Sequence, residues 1–213
     1  MLCTGSSLHG VLPTLEALCA AKIAVVATTE ELAYPVTAQH ALAARVDKAA
    51  HAAGVAVLAT GVNPGFVMDA LPIMMTSVCK NVESMEVHRV QDAAQRLLPF
   101  QQKIGVGLSV EEFQASKEAG AIRHVGLAQS ITMIADAMGW KLENITDEVQ
   151  PKQAESAVTS PHFSVAPGQV CGLIQDGIGY VGTTPAVRLH MEADLGAKEV
   201  MMKSSFTGNR RCA

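Results

Sequence analysis

The sequence predicts an α/β protein in two parts: a partial doubly wound parallel sheet in residues 1–64, then an α+β unit with a mixed sheet in residues 65–213. Three observations carry this expectation. Short all-apolar runs alternate with helix-spaced stretches through the first third of the chain. Longer alternating strands, interspersed with helices, fill the remainder. Between the two stands Thr60-Gly61-Val62-Asn63-Pro64-Gly65, a turn at the carboxyl end of a strand, where open α/β sheets receive their ligands.

Residues 1–4 read as the end of a strand. Apolar side chains at Leu8, Val11, Leu12, Leu15, Leu18 and Cys19 predict a helix over 8–21. Ile23-Ala24-Val25-Val26-Ala27 has the uninterrupted apolar character of a parallel strand buried on both faces, and Thr28 to Glu31 form its polar end. An Ala-rich helix over 37–53 is closed by Gly54, and residues 55–59 form the next buried strand. Residues 66–78 predict a long apolar helix. Alternation over 83–91 predicts a two-faced strand. Ser109 and Glu112 form a capping box for a helix over 109–119, and a helix over 128–138 stops at Gly139. Three strand-like stretches follow, at 141–149, 164–175 and 186–193.

Composition narrows the function classes. The chain has 213 residues, 49% hydrophobic and 17% charged, the balance of a globular protein with a sizeable core. A net charge of −4 offers no basic footprint for nucleic acid or an anionic membrane, and 4% aromatics are too sparse for base stacking. Apolar runs are broken by Lys22, Glu30, Arg45, Asp69 and Lys80 before they reach spanning length, and no signal peptide is predicted. Cys3, Cys19, Cys79, Cys171 and Cys212 form no Cys-x-x-Cys pair, which implies buried thiols in a reducing, cytoplasmic setting. The seven histidines show no ligand spacing, so no metal site is expected.

The turn at 61–65 has the chemistry of a ligand site. Gly61 and Gly65 permit close backbone approach, while Pro64 biases Asn63 to an extended conformation that leaves its amide to aim at a partner. A plain strand-to-helix connection is the alternative. One Gly-x-Gly-x-x-Gly match, Gly177 to Gly182, runs into Thr183-Thr184-Pro185 and an alternating strand. With no helix to follow it, it predicts a hairpin and not a dinucleotide fingerprint. The first third thus looks like the back part of a Rossmann-like domain whose Gly-rich first half is lacking.

With these residues in hand, the chain resembles the amine dehydrogenase family typified by 2,4-diaminopentanoate dehydrogenase, distantly related to dihydrodipicolinate reductase. The resemblance rests on Val25-Val26-Ala27-Thr28-Thr29-Glu30-Glu31-Leu32-Ala33-Tyr34-Pro35, on Thr60 to Asp69, and on Arg89-Val90-Gln91-Asp92-Ala93-Ala94. Leu98-Pro99-Phe100-Gln101-Gln102-Lys103-Ile104-Gly105 and Ile122-Arg123-His124-Val125-Gly126-Leu127 extend it. It departs at both ends: the family's Gly-rich first turn is absent before Met1, and the chain stops at Ala213 ahead of the expected closing segment.

The resemblance implies NAD- or NADP-dependent oxidative deamination of a small diamino acid. It also implies a fragment that grips cofactor abnormally. The reaction needs a hydride path to the nicotinamide, a base to neutralise the amine, and fixed countercharges for the carboxylate and second ammonium. Expected cofactor-binding residues are Ser6, Ser7, Thr28, Thr29, Glu30 and Asn63. Ser6 or Ser7 has helix capping as its alternative, and Glu30 a helix-dipole role. Expected substrate-binding residues are Arg89, Arg96 and Asn63. Expected catalytic residues are His88, Asp92 and Lys103, although alternation puts His88 and Arg89 on opposite faces of their strand. Surface ion pairing is the plain alternative for His88, Arg89 and Asp92, and a solvated charge for Lys103. His124 has helix capping as its simpler role. A homo-oligomer, dimer or tetramer, follows from exposed strand edges. The rival readings are a dihydrodipicolinate reductase-like imine reductase and a non-catalytic remnant of the fold.

Overall fold

The computed structural model describes residues 1–35, 40–122 and 125–208. Its first unit is a parallel sheet. Strand β1 (Val25–Ala27) pairs with β2 (Val57–Ala59), and Leu2 bridges to Ala27 on the far side, also in parallel. Helices α1 (Leu8–Ala20) and α2 (His40–Ala53) connect these strands and pack on each other. Leu8, Leu12, Leu15, Val25, Ala27 and Val46 form their shared core. The expected helix start at 37 lies outside the described residues, whereas Gly54, at φ +67°, follows the end of α2 in the left-handed conformation expected there.

One expectation fails here. Val26 and Leu58 are register partners on the sheet face away from the helices, and they are 40% and 59% exposed. Right-handed crossovers set α1 and α2 on the same side, so these strands are covered on one face by the described residues, not on two.

The second expectation to fail is the long helix over 66–78. Residues 66–69 are a turn, α3 spans Ala70–Met75, and a 3-10 turn covers Thr76–Val78. Pro72 explains this: its ring clashes with a helical carbonyl four residues back, so a helix entering from Phe66 cannot continue through it, whereas one starting at Asp69 holds Pro72 in its first turn.

The second unit is built on a five-stranded sheet. Its strands are β3 (Ser84–Asp92), β4 (Asn144–Gln153), β7 (Val170–Val181), β8 (Thr184–Asp194) and β9 (Met201–Thr207), in the order β4-β7-β8-β3-β9. Only β3 and β8 run parallel. Helices α4 (Leu98–Lys103), α5 (Val110–Glu118) and α6 (Leu127–Met138) lie between β3 and β4 in the chain. The capping box of Ser109 with Glu112 and the left-handed Gly139 are both present. The stretch at 164–175 divides into β6 (Ser164–Val165), which pairs with β5 (Val158–Thr159), and the start of β7. Pro167-Gly168, with Gly168 at φ +86°, breaks it.

Gly177 to Gly182 belong to the β7–β8 hairpin. A Cβ on Gly177 would lie 2.8 Å from Ile131 Cδ1, and one on Gly179 2.6 Å from Ile131 Cγ2. These glycines let α6 seat closely on the sheet.

Strand parity sorts the side chains. Met85, Val87, Leu189, Met191 and Leu173 face the helices and are buried with Leu127, Ile131 and Ile134. The alternate positions carry a polar chain. Glu86 Oε1 meets His88 Nε2 at 2.8 Å, and the His88 and His190 rings lie 5.1 Å apart. His190 binds Asp176 through Nδ1 at 2.7 Å and Glu192 through Nε2 at 3.0 Å. Lys152 Nζ then donates to Glu192 at 2.6 Å and Asp194 at 2.8 Å.

Burial pulls the His190 pKa down, but hydrogen bonds and charge from Glu192 and Asp176 outweigh it, and the net shift is upward. A pKa raised on folding stabilises the fold fully below the unfolded value and loses that effect as pH rises through the folded one. In urea titrations, the destabilisation caused by His190→Gln is therefore expected to be larger at about pH 6 than at about pH 9. Equal destabilisation at both would contradict the ionised cluster.

Candidate active-site crevice

The carboxyl ends of Leu2, β1 and β2 open toward the second unit. Thr29, after β1, is 1% exposed, and its Oγ1 has no hydrogen-bond partner among the described residues. Asn63, after β2, is 8% exposed; its Nδ2 sits 3.9 Å from Met191 Sδ, and its Oδ1 is likewise unpartnered. An orphaned buried polar atom costs about 1–3 kcal/mol, so two at adjacent strand ends make this crevice the candidate ligand site.

The turn carrying Asn63 is compact. Gly65 has φ +120°, and a Cβ there would come within 2.8 Å of the Gly61 nitrogen. Gly126 has φ +114° at the start of α6, and its missing Cβ leaves room for the Pro64 ring, which such a carbon would approach to 2.5 Å. Asn63-Pro64 is a cis peptide.

Lys103, at the end of α4, reaches across to the first unit. Its Nζ donates to Glu30 Oε2 at 3.2 Å and lies 3.5 Å from Ser6 Oγ. The structure therefore joins three residues expected separately. The helix-dipole role weighed for Glu30 belongs to its neighbour: the Leu8 amide donates to Glu31 Oε2 at 2.8 Å. Ser7 occupies the N-cap position of α1 without a side-chain capping bond, so the capping alternative fails there. Thr28 is exposed, and its amide donates to the Leu2 carbonyl at 3.0 Å, which extends the sheet.

Arg89 shares the helix-covered sheet face with Met191, its register partner on β8. Its Nη2 donates to Gln91 Oε1 at 3.3 Å, and among the described residues it has no ion pair. Burial first, and the nearby Arg96 charge second, push its pKa below the usual value. Arg96 lies over the Phe100 ring, 4.9 Å from the centroid. The loop holding Arg96 is shaped by Gln101, which is fully buried. Its Nε2 donates to the carbonyls of Ala93, Ala94 and Arg96, and its Oε1 accepts from Ser160 Oγ at 2.7 Å.

Two expected catalytic residues are not brought to this crevice. His88 lies on the opposite sheet face from Arg89 and Met191, committed to Glu86 and stacked near His190. Asp92 shares the His88 parity, and its Oδ1 accepts from the Ala94 amide at 2.8 Å, closing the turn after β3. His124 lies outside the described residues, as does Cys212. Met191, Gln101 and Glu31 were missed. Met191 was visible only as one apolar position of an alternating strand, and the other two carried no local signal.

Among the described residues no group of three or more His, Cys, Asp or Glu side chains is placed to hold a metal ion, and no helix is long and apolar enough to cross a membrane. The strand-end crevice, bordered by a mixed-sheet unit, defines the class first: this is the fold of NAD(P)-binding oxidoreductases, a two-part dehydrogenase architecture. Residues 66–197 match the family described as the 2,4-diaminopentanoate dehydrogenase C-terminal domain, and the chain belongs to that family.

A 2,4-diaminopentanoate dehydrogenase from Acetoanaerobium sticklandii is 38% identical over 183 residues, covering 85% of this chain and 52% of that protein. The chain thus spans about half the length of the curated relative it matches. Among solved structures, an amine dehydrogenase from Mycobacterium smegmatis superposes with a TM-score of 0.83 at 16% identity, over 96% of this chain and 61% of that one. A biliverdin reductase from Synechocystis sp. PCC 6803, in complex with biliverdin and NADP+, gives 0.52 at 10% identity, over 98% of this chain and 57% of the other. The orphaned Thr29 and Asn63 atoms are hydrogen-bonding groups of the kind that meet the carboxamide of a nicotinamide dinucleotide.

Proposed function

We propose that this chain carries the reacting crevice of an NAD(P)-dependent amine dehydrogenase acting on a small diamino acid such as 2,4-diaminopentanoate. The observation that supports it best is Arg89: a partly buried guanidinium without a countercharge among the described residues, beside Arg96, one strand from the Met191 that touches Asn63. A carboxylate substrate supplies that countercharge in bidentate form. Asn63 Oδ1 accepts an N–H from the substrate amine or the cofactor carboxamide. Lys103, whose Nζ donates to Glu30, acts as base in its neutral amine form: its lone pair takes the proton from the substrate ammonium, which must be neutral before its carbon gives up hydride. The dinucleotide, when bound, accepts that hydride. Water then displaces ammonia and leaves a ketone. Residues 1–64 are read as the nucleotide unit, residues 65–213 as the substrate unit, and the protein as a dimer or tetramer.

The grip on the dinucleotide is proposed to be weak. The first amide of α1 is taken by Glu31, and the Gly-x-Gly-x-x-Gly match lies in a hairpin, so neither offers a pyrophosphate cradle. Calorimetry with NADH and NADPH is expected to give dissociation constants of roughly millimolar order. At matching concentrations of NAD+ or NADP+, adding 2,4-diaminopentanoate should produce absorbance at the reduced nicotinamide band. Micromolar binding overturns the weak grip. Absence of amine-dependent reduction, or its survival unchanged in Asn63→Ala, overturns the site. Oxidation of NADPH by a cyclic imine dicarboxylate in its place favours the imine reductase reading.

A further inference from the structure

The buried carboxylate of Asp69 has no part in the chemistry above, yet it is fully inaccessible to solvent and makes three hydrogen bonds. Oδ2 accepts from the Gly65 amide at 2.8 Å and from Ser130 Oγ at 2.7 Å, and Oδ1 accepts from the Ala70 amide at 2.6 Å. These donors belong to different structures. Gly65 closes the Asn63 turn, Ala70 begins α3, and Ser130 lies in the first turn of α6 and is 1% exposed. On the other side of the same turn, the Pro64 ring rests on Gly126, where a Cβ would not fit.

We propose that Asp69 and Ser130 are positioning residues: they clamp the Asn63-Pro64-Gly65 turn to α6 and so set where Asn63 Oδ1 points. Three facts favour this over simple helix capping. An N-cap side chain needs to accept from an amide of its own helix, and Ala70 alone meets that need. The second oxygen is turned toward the turn and toward another helix. Among the described residues the Asn63 side chain is anchored by a weak contact to a thioether alone, so its orientation depends on the backbone that carries it. α6 also packs on β7 and β8, the strands that carry Gly177 and Met191. The clamp therefore ties the Asn63 turn to the sheet that holds Arg89.

The proposal rests on Asn63 lining the crevice, and its test separates the two ideas. In the full chain, the NOE between the Asn63 side-chain amide protons and the Met191 methyl reports the orientation of Asn63 without any ligand. Asp69→Asn, which replaces one acceptor by an NH2 donor facing the Gly65 or the Ala70 amide, is expected to abolish this NOE. Ser130→Ala removes one bond of three and should weaken it while the fold stays intact. Thr132→Ala, which removes a hydroxyl that donates to the Ala128 carbonyl within α6, should leave it unchanged. In amine-dependent turnover, Ser130→Ala should lower kcat by about tenfold and folded Asp69→Asn by up to roughly a hundredfold, with KM for the amine little changed. An unchanged NOE in a folded Asp69→Asn or in Ser130→Ala overturns the positioning role. A lost NOE in a chain with no turnover upholds it and removes the proposed activity instead. If Asp69→Asn does not fold, Ser130→Ala decides.

Discussion

Arg89→Met is expected to make this protein more stable and less able to hold its substrate. The native guanidinium is partly buried without an ion pair among the described residues, and Arg96 repels it. Replacing a poorly compensated charge by an apolar side chain of similar length is neutral to stabilising, and retained solvent contact limits the gain here to about 1 kcal/mol. For a chain of this size that raises the thermal midpoint by roughly 2–4 °C. The same change removes the bidentate partner of the substrate carboxylate, and truncating one side of a desolvated charge pair costs about 2–5 kcal/mol. KM for the amino acid should rise at least about thirtyfold, with a smaller effect on kcat. Differential scanning calorimetry and steady-state kinetics read the two effects separately. A lower midpoint with unchanged KM would mean that Arg89 is a structural residue.

Lys103→Met should act on kcat. Its Nζ bridges Glu30 and Ser6 across the crevice, and the proposed reading makes it the group that exchanges a proton with the substrate amine. Loss of a positioned general base lowers the rate by about 10²–10⁴-fold. Lys103→Arg discriminates between two roles. A guanidinium keeps the bridge to Glu30 but does not release its proton near neutral pH, so it restores binding without restoring turnover. Recovery of kcat in Lys103→Arg would reduce Lys103 to an electrostatic tie.

Local signals carried much of the fold. β3 was legible from alternation alone, α5 from Ser109 and Glu112, and the end of α6 from Gly139. Where the reading failed, a neighbour in space or a single residue had overruled a pattern. Pro72 cut the apolar run that otherwise promised a long helix. Val26 and Leu58 have the composition of doubly buried strands, yet no described element covers their second face. β9 is short and mixed in polarity, and it is a strand because β3 offers it an edge.

The site shows the same division. Thr29, Glu30 and Asn63 could be placed because strand ends in a parallel sheet face one way. Parity separated His88 from Arg89, but which of them met the crevice depended on the face that α6 would cover, and no residue of β3 encodes that. The meeting of Lys103 with Glu30 joins positions 73 residues apart, beyond any local pattern.

The parallel pairing of β3 with β8 has a consequence for how the molecule assembles. It brings Met85 beside Val187, closing a loop of about a hundred residues, whereas β7 and β8 are joined by a tight turn at Gly182. Long loops carry a larger closure entropy, and nonlocal pairings form late. Loop length therefore predicts that the hairpin forms early, that β3 docks afterwards, and that β9, which among the described residues pairs in this sheet with β3, follows. Arg89 reaches its place beside Met191 in that docking step. Arg89 is thus placed by a long-range pairing, and a chain caught before it would hold a formed hairpin with Arg89 not yet beside Met191.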